Sequence, residues 1–267
     1  MSKKISVSAL GEIAIEAGIE ILKIYHQADF SEIVDFKADD SPLTTADKAS
    51  HEVIMKRLEE KYPDIPIISE EGKDIDYATR KDWEYFWLVD PLDGTKEFIK
   101  KNGQFTVNIA LIHNDKPVAG VIYTPVTEEL YLAAKEGYAE DVEAGAYKQT
   151  LPTQPESISV NSKQQNLIAV RSSSHASEEE EDLLNRYGVT ESISKGSSLK
   201  FCMVAEGKAD IYYRHGPTME WDTAAGQVVV ECAGGRVLQG TGPESFVYNK
   251  ESLRNGSFLV LSSLKTM

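Results

Sequence analysis

The sequence feature that most constrains the fold is an apolar run that ends abruptly in polar residues. Residues 86–89 are all apolar, and Trp83 and Tyr85 stand just before them. An uninterrupted apolar run of this length fits a strand that other layers cover on both faces. We therefore expect residues 86–89 to form a central strand, and the residues that follow to lie where this strand leaves the core.

Two carboxylates follow the strand. Asp90 stands at its exit, Pro91 fixes the backbone, and Asp93 points a second carboxylate at nearly the same space. Gly94 lets the chain pass close to a ligand. The two acids repel each other unless a cation lies between them. Residues 95–99 can open a short helix whose free N–H groups favour an anion such as phosphate. This combination indicates metal-assisted hydrolysis of a phosphate ester, whereas an isolated motif of this kind is also compatible with a plain capped turn.

The length and composition are those of a soluble globular protein. With 267 residues, 41% of them apolar, the chain can form one large domain or two closely packed ones. No window approaches the ~20 uncharged apolar residues of a membrane span. Glu12, Glu16 and Glu20 interrupt the N-terminal apolar segment, which the apolar core of a signal peptide would not tolerate. We therefore expect a cytoplasmic protein.

The charge and the cysteine content exclude several classes of function. The net charge of -15 and the pI near 4.8 argue against a nucleic-acid polymer as partner, because such binding needs an extended basic surface. A small anionic substrate remains compatible if a cationic pocket or bound metal ions overcome the overall field. Cys202 and Cys232 are the only cysteines, too few for a disulfide framework or a zinc knuckle, and we expect both to be core thiols.

The first part of the chain has the pattern of an α+β domain. Helical spacing of apolar residues predicts helices over residues 8–26 and 46–58, and residues 65–68 read as a short strand. Residues 73–81 are highly charged and are expected to form an exposed, mobile loop. Beyond the central motif, the predicted strands are residues 106–112, 118–123 and 130–134.

The proline-containing polar segment 150–156 reads as a connection between two domains. Beyond it, strands and helices alternate, which implies an α/β half. The predicted strands are residues 167–170, 190–193, 210–213 and 258–261, and the predicted helices are residues 177–187, 198–206 and 221–232. We therefore predict an N-terminal α+β domain, 1–150, that carries most metal ligands, and a C-terminal α/β domain, 151–267, that completes the metal site and binds a nucleotide.

Four further motifs lie at the ends of predicted elements, and each also has a purely structural explanation. Asp47 falls in the first turn of a helix, where Thr44 and Asp47 also match a capping box. Asp222 opens the last long helix and can serve as a plain cap. Glu70 and its neighbour follow a strand, where a solvated turn is common. Residues 196–200 combine hydroxyls, free N–H groups and an ammonium, which suits a second phosphate or, alternatively, a serine-capped helix with a solvated lysine.

Together these motifs are far more specific than any one of them. They are Asp47, Ser69-Glu70-Glu71, Trp87-Leu88-Val89-Asp90-Pro91-Leu92-Asp93-Gly94-Thr95, Trp221-Asp222-Thr223-Ala224-Ala225-Gly226 and Gly234-Gly235. The set spans nearly the whole chain and resembles the inositol monophosphatase superfamily of metal-dependent, lithium-sensitive phosphatases. Residues 93–98, 172–175 and 196–202 resemble its branch of 3′(2′),5′-bisphosphate nucleotidases of the CysQ type, which remove the 3′-phosphate from 3′-phosphoadenosine 5′-phosphate in sulfate assimilation.

The resemblance implies a layered αβαβα sandwich, of α+β and α/β character, with two to three Mg²⁺ ions. Ligation by carboxylate oxygens, without clustered cysteine or histidine, favours such a hard ion over zinc. By resemblance, one ion is held by Glu70, Asp90 and the Leu92 carbonyl. The next ion is held by Asp90, Asp93 and Asp222, so that Asp90 bridges the two.

The resemblance also implies roles in catalysis and substrate binding. Thr95 and Asp47 would relay a proton while Glu70 orients the attacking water. The scissile phosphate would rest on the N–H groups of Gly94 and Thr95, and the 5′-phosphate and adenosine would contact C-terminal residues. The full substrate-binding set comprises Glu70, Leu92, Asp93, Gly94, Thr95, His175, Ser198, Lys200, Arg214 and Asp222.

Two alternatives stay open at this point. An inositol monophosphatase or a fructose-1,6-bisphosphatase would share the metal core, and only the C-terminal motifs indicate a nucleotide. A non-catalytic nucleotide sensor would be a protein of another class, although a sensor does not need the relay of Asp47 and Thr95. The oligomeric state is open as well, with a homodimer among the alternatives. Some similar proteins are peripheral on the cytoplasmic face of the inner membrane, yet this sequence lacks the basic amphipathic character that such docking requires.

Overall fold

The computed structural model describes residues 3–27, 34–36, 42–172 and 177–263, and this part of the chain contains seven helices and sixteen strands. The helices are α1 (Val7–Tyr25), α2 (Thr45–Lys61), α3 (Tyr77–Arg80), α4 (Thr95–Ile99), α5 (Glu178–Arg186), α6 (Leu199–Ala205) and α7 (Glu220–Cys232). The strands are β1 (Val34–Phe36), β2 (Pro42–Thr44), β3 (Ile67–Ser69), β4 (Tyr85–Asp93), β5 (Thr106–His113), β6 (Lys116–Thr124), β7 (Glu129–Ala134), β8 (Gly145–Thr150), β9 (Glu156–Ser157), β10 (Leu167–Arg171), β11 (Val189–Ser194), β12 (Ile211–Arg214), β13 (Thr218–Met219), β14 (Arg236–Gln239), β15 (Arg254–Asn255) and β16 (Phe258–Leu261).

The apolar run of the central motif forms β4 in a seven-stranded sheet of order β3-β4-β5-β6-β7-β8-β9. β3 runs parallel to β4, and the other neighbouring strands are antiparallel. Side chains alternate along β4, because successive residues of a strand point to opposite faces. Trp87 and Val89 pack with α1 and α2, whereas Phe86 and Leu88 pack with α6 and α7. The prediction of a strand covered on both faces is confirmed.

A second sheet has five strands in the order β11-β10-β12-β16-β14. Through Tyr212 and Val260, one of its faces shares a core with α6 and α7. Ile211 and Leu259 lie on the other face and pack against α5. The layers therefore follow the order helices, sheet, helices, sheet, helix, which confirms the predicted αβαβα sandwich.

The middle helical layer is thin because α6 and α7 touch at Gly226. A Cβ atom at this position would lie only 2.4 Å from Cγ of Phe201. Glycine therefore allows the aromatic ring to pack directly on the backbone of α7. This packing places α7 against β4, β5 and β6, so that the first turn of α7 lies beside the exit of β4.

The segment 73–81 differs in part from the expected exposed loop. It contains α3, and the side chain of Arg80 is buried. The Arg80 guanidinium donates to Asn249 Oδ1 and to the Glu251 carbonyl, both at 2.8 Å. The other residues of the segment are mostly exposed, as expected. Arg80 is the exception because a local charge pattern cannot distinguish a buried arginine with distant partners from a solvated one.

The first sheet continues past residue 150, because β9 pairs with β8. Sequence patterns missed β8, an outer strand in which only Ala146 is buried. The division into domains 1–150 and 151–267 stays a prediction. Cys202 is buried and Cys232 is partly buried, and both are free thiols in the core as expected. Among the described residues, no helix has both the length and the apolar content that crossing a membrane requires.

Candidate active site

The central motif lies where β4 leaves the first sheet. Asp90 pairs with Asn108 of β5, and the register then shifts so that Asp93 pairs with Thr106. One extra residue on β4 produces this shift, and such a bulge re-aims the side chains around it. The Leu92 N–H donates to Asp90 Oδ1 at 3.1 Å and orients that carboxylate.

Three carboxylates from distant parts of the chain meet at this exit. Glu70 follows β3, Asp90 belongs to β4, and Asp222 lies in the first turn of α7. Each contributes one oxygen, and these oxygens lie within 4.8 Å of one another. Opposite ligands around Mg²⁺ lie about 4.2 Å apart, given its Mg–O distance of about 2.1 Å. The spacing of the three oxygens is therefore close to that needed to hold one such cation.

The electrostatics of this acid cluster favour a cation. Burial, followed by the charges of Glu70, Asp93 and Asp222, raises the pKa of Asp90 well above its ordinary value. Burial and the charges of Asp93 and Glu70 likewise raise the pKa of Asp222. A bound divalent cation reverses this effect because it stabilises the charged form of each carboxylate.

Backbone N–H groups from the C-terminal half of the chain orient two of the acids, Asp222 and Asp93. The Met219 N–H donates to Asp222 Oδ2 at 2.8 Å, from the residue that precedes α7. The Ser198 N–H donates to Asp93 Oδ2 at 2.6 Å, from the residue that precedes α6. The fold therefore orients both carboxylates through one oxygen each.

Asp47 serves both the fold and the site. Its Oδ2 accepts hydrogen bonds from the Thr44 N–H at 2.8 Å and the Thr44 hydroxyl at 2.5 Å, which completes the capping box of α2. Its Oδ1 accepts a hydrogen bond from Thr95 Oγ1 at 3.2 Å. The two interpretations of Asp47 are therefore compatible, because each uses a different oxygen. Burial raises the pKa of Asp47, which makes its carboxylate a stronger proton acceptor.

Gly94 and Thr95 open α4 beside the acid cluster. Gly94 has φ of 95°, in the left-handed region that favours glycine. The first N–H groups of a helix have no partner within the helix and are available to a ligand. Both residues line the same cavity as Glu70, Asp90 and Asp222. The cavity thus combines the acid cluster with the start of a helix, as the sequence predicted.

A second cavity adjoins the first and shares Asp93 and Gly94 with it. Lys200 and Arg214 also line it, and both come from the C-terminal half. Lys200 is buried, and burial lowers its pKa to about 8. Within the described part of the chain, the buried Arg214 Nε has no hydrogen-bond partner. An unsatisfied guanidinium N–H beside a lysine suits an anionic ligand.

The segment 196–198 is engaged differently from the expectation. The Gly196 N–H donates to Gln104 Oε1 at 2.7 Å, and the Ser198 N–H donates to Asp93. The Ser198 hydroxyl is buried and donates to Asn108 Oδ1 at 2.8 Å. Residues of the first half therefore already bind two of the N–H groups and the Ser198 hydroxyl that the sequence offered to a second phosphate. A phosphate contact by this segment stays a prediction.

The structure brings most of the predicted site residues together. The acid cluster and its immediate surroundings comprise Asp47, Glu70, Asp90, Leu92, Asp93, Gly94, Thr95 and Asp222. Ser198, Lys200 and Arg214 line the second cavity, while His175 lies outside the described residues.

Sequence reasoning missed two exposed cations at the metal cavity, Lys96 and Arg254. Arg254 pairs with Met219 between β15 and β13, and this pairing brings it to the cavity. No motif surrounds Arg254, so only tertiary structure reveals its position. Lys96 follows Thr95 directly, and this position in the motif could have predicted that Lys96 lies at the cavity.

Comparison with known proteins identifies the family. A sequence profile of the inositol monophosphatase family matches residues 6–265. The chain belongs to this family. Its fold and its class, an enzyme of a phosphatase family, follow from this membership and confirm the resemblance that the motifs indicated.

Relatives within the family include named nucleotidases. A 3′(2′),5′-bisphosphate nucleotidase CysQ from Escherichia coli is 46% identical over 249 residues, which cover 93% of this chain and 96% of that protein. The crystal structure of CysQ from Bacteroides thetaiotaomicron has a TM-score of 0.83 at 45% identity and covers 97% of both chains. The suhB protein from Bartonella henselae, at 24% identity and a TM-score of 0.76, shares the fold.

Proposed function

We propose that this protein hydrolyses the 3′-phosphate of 3′-phosphoadenosine 5′-phosphate, and that AMP and inorganic phosphate are the products. The observation that carries the proposal is the pair of adjoining cavities, one with the acid cluster and one with Lys200 and Arg214. A substrate with two phosphates needs two such regions. The identity of 46% to a named bisphosphate nucleotidase supports this substrate class.

The donor set fits Mg²⁺. The clustered groups are carboxylates, with no cysteine or histidine among them, which favours a hard cation. Glu70, Asp90 and Asp222 would hold the ions together with Asp93 and the Leu92 carbonyl, and we propose two to three ions in total. When bound, Mg²⁺ polarises the phosphoryl group and makes a coordinated water a stronger nucleophile.

Asp47 and Thr95 handle the proton of the attacking water. The Thr95 hydroxyl donates to Asp47 Oδ1 at 3.2 Å, so its oxygen can accept a hydrogen bond from the water. As the water attacks phosphorus, the P–O3′ bond breaks, the proton of the water passes to Thr95 Oγ1, and the threonine proton passes to Asp47. The leaving ribose 3′-oxygen takes up a proton from solvent water, which gives AMP and inorganic phosphate. Glu70 orients the water, and the phosphate rests on the N–H groups of Gly94 and Thr95.

The second cavity binds the rest of the nucleotide. Lys200 and Arg214 line a cavity that suits the 5′-phosphate, and the buried Arg214 Nε has no hydrogen-bond partner among the described residues. Ser198 lines the same cavity, and we retain His175 as a further contact on the basis of its motif. These cationic groups, with the bound ions, offset the net charge of -15 that would otherwise repel the substrate.

A comparison of three substrates tests the proposal. Phosphate release is measured from the bisphosphate nucleotide, inositol 1-phosphate and fructose 1,6-bisphosphate, each with Mg²⁺ and with EDTA. The nucleotide is expected to have the highest kcat/KM, and EDTA is expected to abolish release. A higher kcat/KM for either sugar phosphate would establish that alternative, and nucleotide binding without any phosphate release would establish a sensor.

The cellular setting is proposed on the same basis. The reaction would remove 3′-phosphoadenosine 5′-phosphate in sulfate assimilation, in the cytoplasm, and lithium would inhibit it. The proposed partner is the small phosphorylated nucleotide, without a nucleic-acid polymer. Light scattering tests whether the protein forms a homodimer. Sedimentation with anionic vesicles tests whether it binds peripherally at the inner membrane.

A further inference from the structure

Asp93 is held differently from the other acids of the site. Its Oδ2 accepts hydrogen bonds from Ser197 Oγ at 2.7 Å and from the Ser198 N–H at 2.6 Å, and Asn108 Nδ2 lies 3.5 Å away. Two of these donors come from the segment before α6, more than a hundred residues further along the chain. Asp93 is not a member of the three-acid cluster. The segment before α6 therefore sets the orientation of this carboxylate.

The hydroxyls around Asp93 form a closed network. Thr106 Oγ1 lies 2.6 Å from Ser197 Oγ and 2.7 Å from Ser198 Oγ. Thr106 also pairs with Asp93 between β5 and β4. The side chains of Thr106, Ser198 and Asn108 are all buried. A buried and satisfied polar network of this kind permits few alternative arrangements.

The backbone at Ser197 is unusual. Its φ is 54°, a left-handed conformation that costs a non-glycine residue about 1 kcal/mol. Residues in such conformations cluster at functional sites, where the surrounding structure imposes them. Here the Ser197 carbonyl accepts a hydrogen bond from Lys200 Nζ at 2.6 Å. Glycine would adopt this turn without cost, but it would lack the hydroxyl that reaches Asp93.

We propose that Ser197 is a positioning residue for one of the metal sites. Its hydroxyl holds one oxygen of Asp93 and thereby leaves the other oxygen for a cation that Asp93 would bind together with Asp90 and Asp222. Partners that orient a metal ligand in this way typically contribute about 10- to 100-fold to metal affinity. The inference rests on the metal dependence of the proposed function and does not depend on the identity of the substrate.

Binding of Mn²⁺ to the protein without substrate tests this proposal. Free Mn²⁺ is counted by electron paramagnetic resonance during titration of the wild type, Ser197→Gly and Ser197→Ala. Both variants remove the hydroxyl, while Gly also relieves the backbone conformation. We expect one Mn²⁺ site to weaken about 10- to 100-fold in both variants while another keeps its affinity. If the Tm of Ser197→Gly is no lower than that of the wild type, the loss of Mn²⁺ affinity is not caused by misfolding.

Ser177→Ala is the matched control. Ser177 Oγ accepts from the Glu180 N–H at 3.2 Å and caps α5, far from the site in sequence. Its loss costs stability, typically about 1 kcal/mol, and should leave both Mn²⁺ affinities unchanged. The proposal would be overturned if both Ser197 variants bound Mn²⁺ at every site with wild-type affinity. It would also be overturned if the Mn²⁺ affinity of all sites fell equally, or if the wild type bound fewer than two Mn²⁺ ions. A wild type that binds Mn²⁺ normally but does not hydrolyse the nucleotide would refute only the proposed function.

Discussion

Asp90→Asn should stabilise the metal-free protein while it destroys the metal site. Asp90 is 1% exposed, and its carboxylate lies within 4.8 Å of those of Glu70 and Asp222. Two like charges at that distance repel by about 3 kcal/mol at an effective dielectric constant of about 20. Because Glu70 and Asp222 are partly exposed, solvent screening reduces the total, and we expect a gain of about 1–3 kcal/mol. The asparagine Oδ1 can still accept from the Leu92 N–H.

The direction of the pKa shift gives the pH dependence of this gain. The pKa of Asp90 is raised, so the wild-type metal-free protein loses stability as pH rises from about 4 toward the folded-state pKa. The asparagine variant lacks this loss, and its advantage therefore grows over that range of pH. At pH 7.5 in EDTA, a gain of 1–3 kcal/mol corresponds to a rise in Tm of about 3–9 °C.

Thermal unfolding in EDTA and in Mg²⁺ measures both effects. Mg²⁺ should raise the Tm of the wild type, because a ligand that binds only the folded state stabilises it, and should have little effect on Asp90→Asn. Asp64→Asn, at an exposed position after α2, serves as the control and should behave like the wild type in both conditions. A lower Tm for Asp90→Asn in EDTA, or equal stabilisation of both proteins by Mg²⁺, would refute the reasoning.

Three further predictions concern the relay, the second cavity and the core. Asp47→Asn should fold, because its amide oxygen can still cap α2, but should hydrolyse the nucleotide about 10²- to 10⁴-fold more slowly in single-turnover assays; near wild-type turnover would remove Asp47 from the mechanism. Lys200→Ala should raise KM for the nucleotide, and wild-type KM should rise above pH about 8 as the ammonium loses its proton; a KM that changes in neither experiment contradicts this assignment. Gly226→Ala should lower the free energy of unfolding in urea by about 1–3 kcal/mol, because its methyl group would lie 2.4 Å from Phe201; unchanged stability would show that the ring moves freely.

The acid cluster could be predicted because each of its members lies at the end of an element or of an apolar run. Glu70 follows strand β3, Asp90 follows the apolar run of β4, and Asp222 stands in the first turn of α7, so each acid leaves the core at an edge. The covered strand β4 and the α/β character of the second half also followed from local patterns, since β4 is apolar at successive positions and the second half alternates between strands and helices. The layered order was implied by the resemblance to the family.

The remaining features depend on contacts between distant residues. The bonds from Ser197 and Ser198 to Asp93 join residues about a hundred positions apart, and no local pattern encodes them. Asp47 was interpreted as either a cap or a relay, whereas the structure assigns one role to each oxygen. The buried Arg80 was read as part of a solvated loop for the same reason, because a sequence shows charge but not burial.

Anomalous X-ray scattering from a crystal soaked in Mn²⁺ would locate the cations that the acid cluster holds. We expect strong peaks between the carboxylates of Glu70, Asp90 and Asp222, with Asp90 in contact with more than one ion. The protein used for the crystal must first be shown to depend on Mn²⁺ for activity in solution. Peaks elsewhere, or no peaks among these carboxylates, would then contradict the conclusion that these acids hold the catalytic cations.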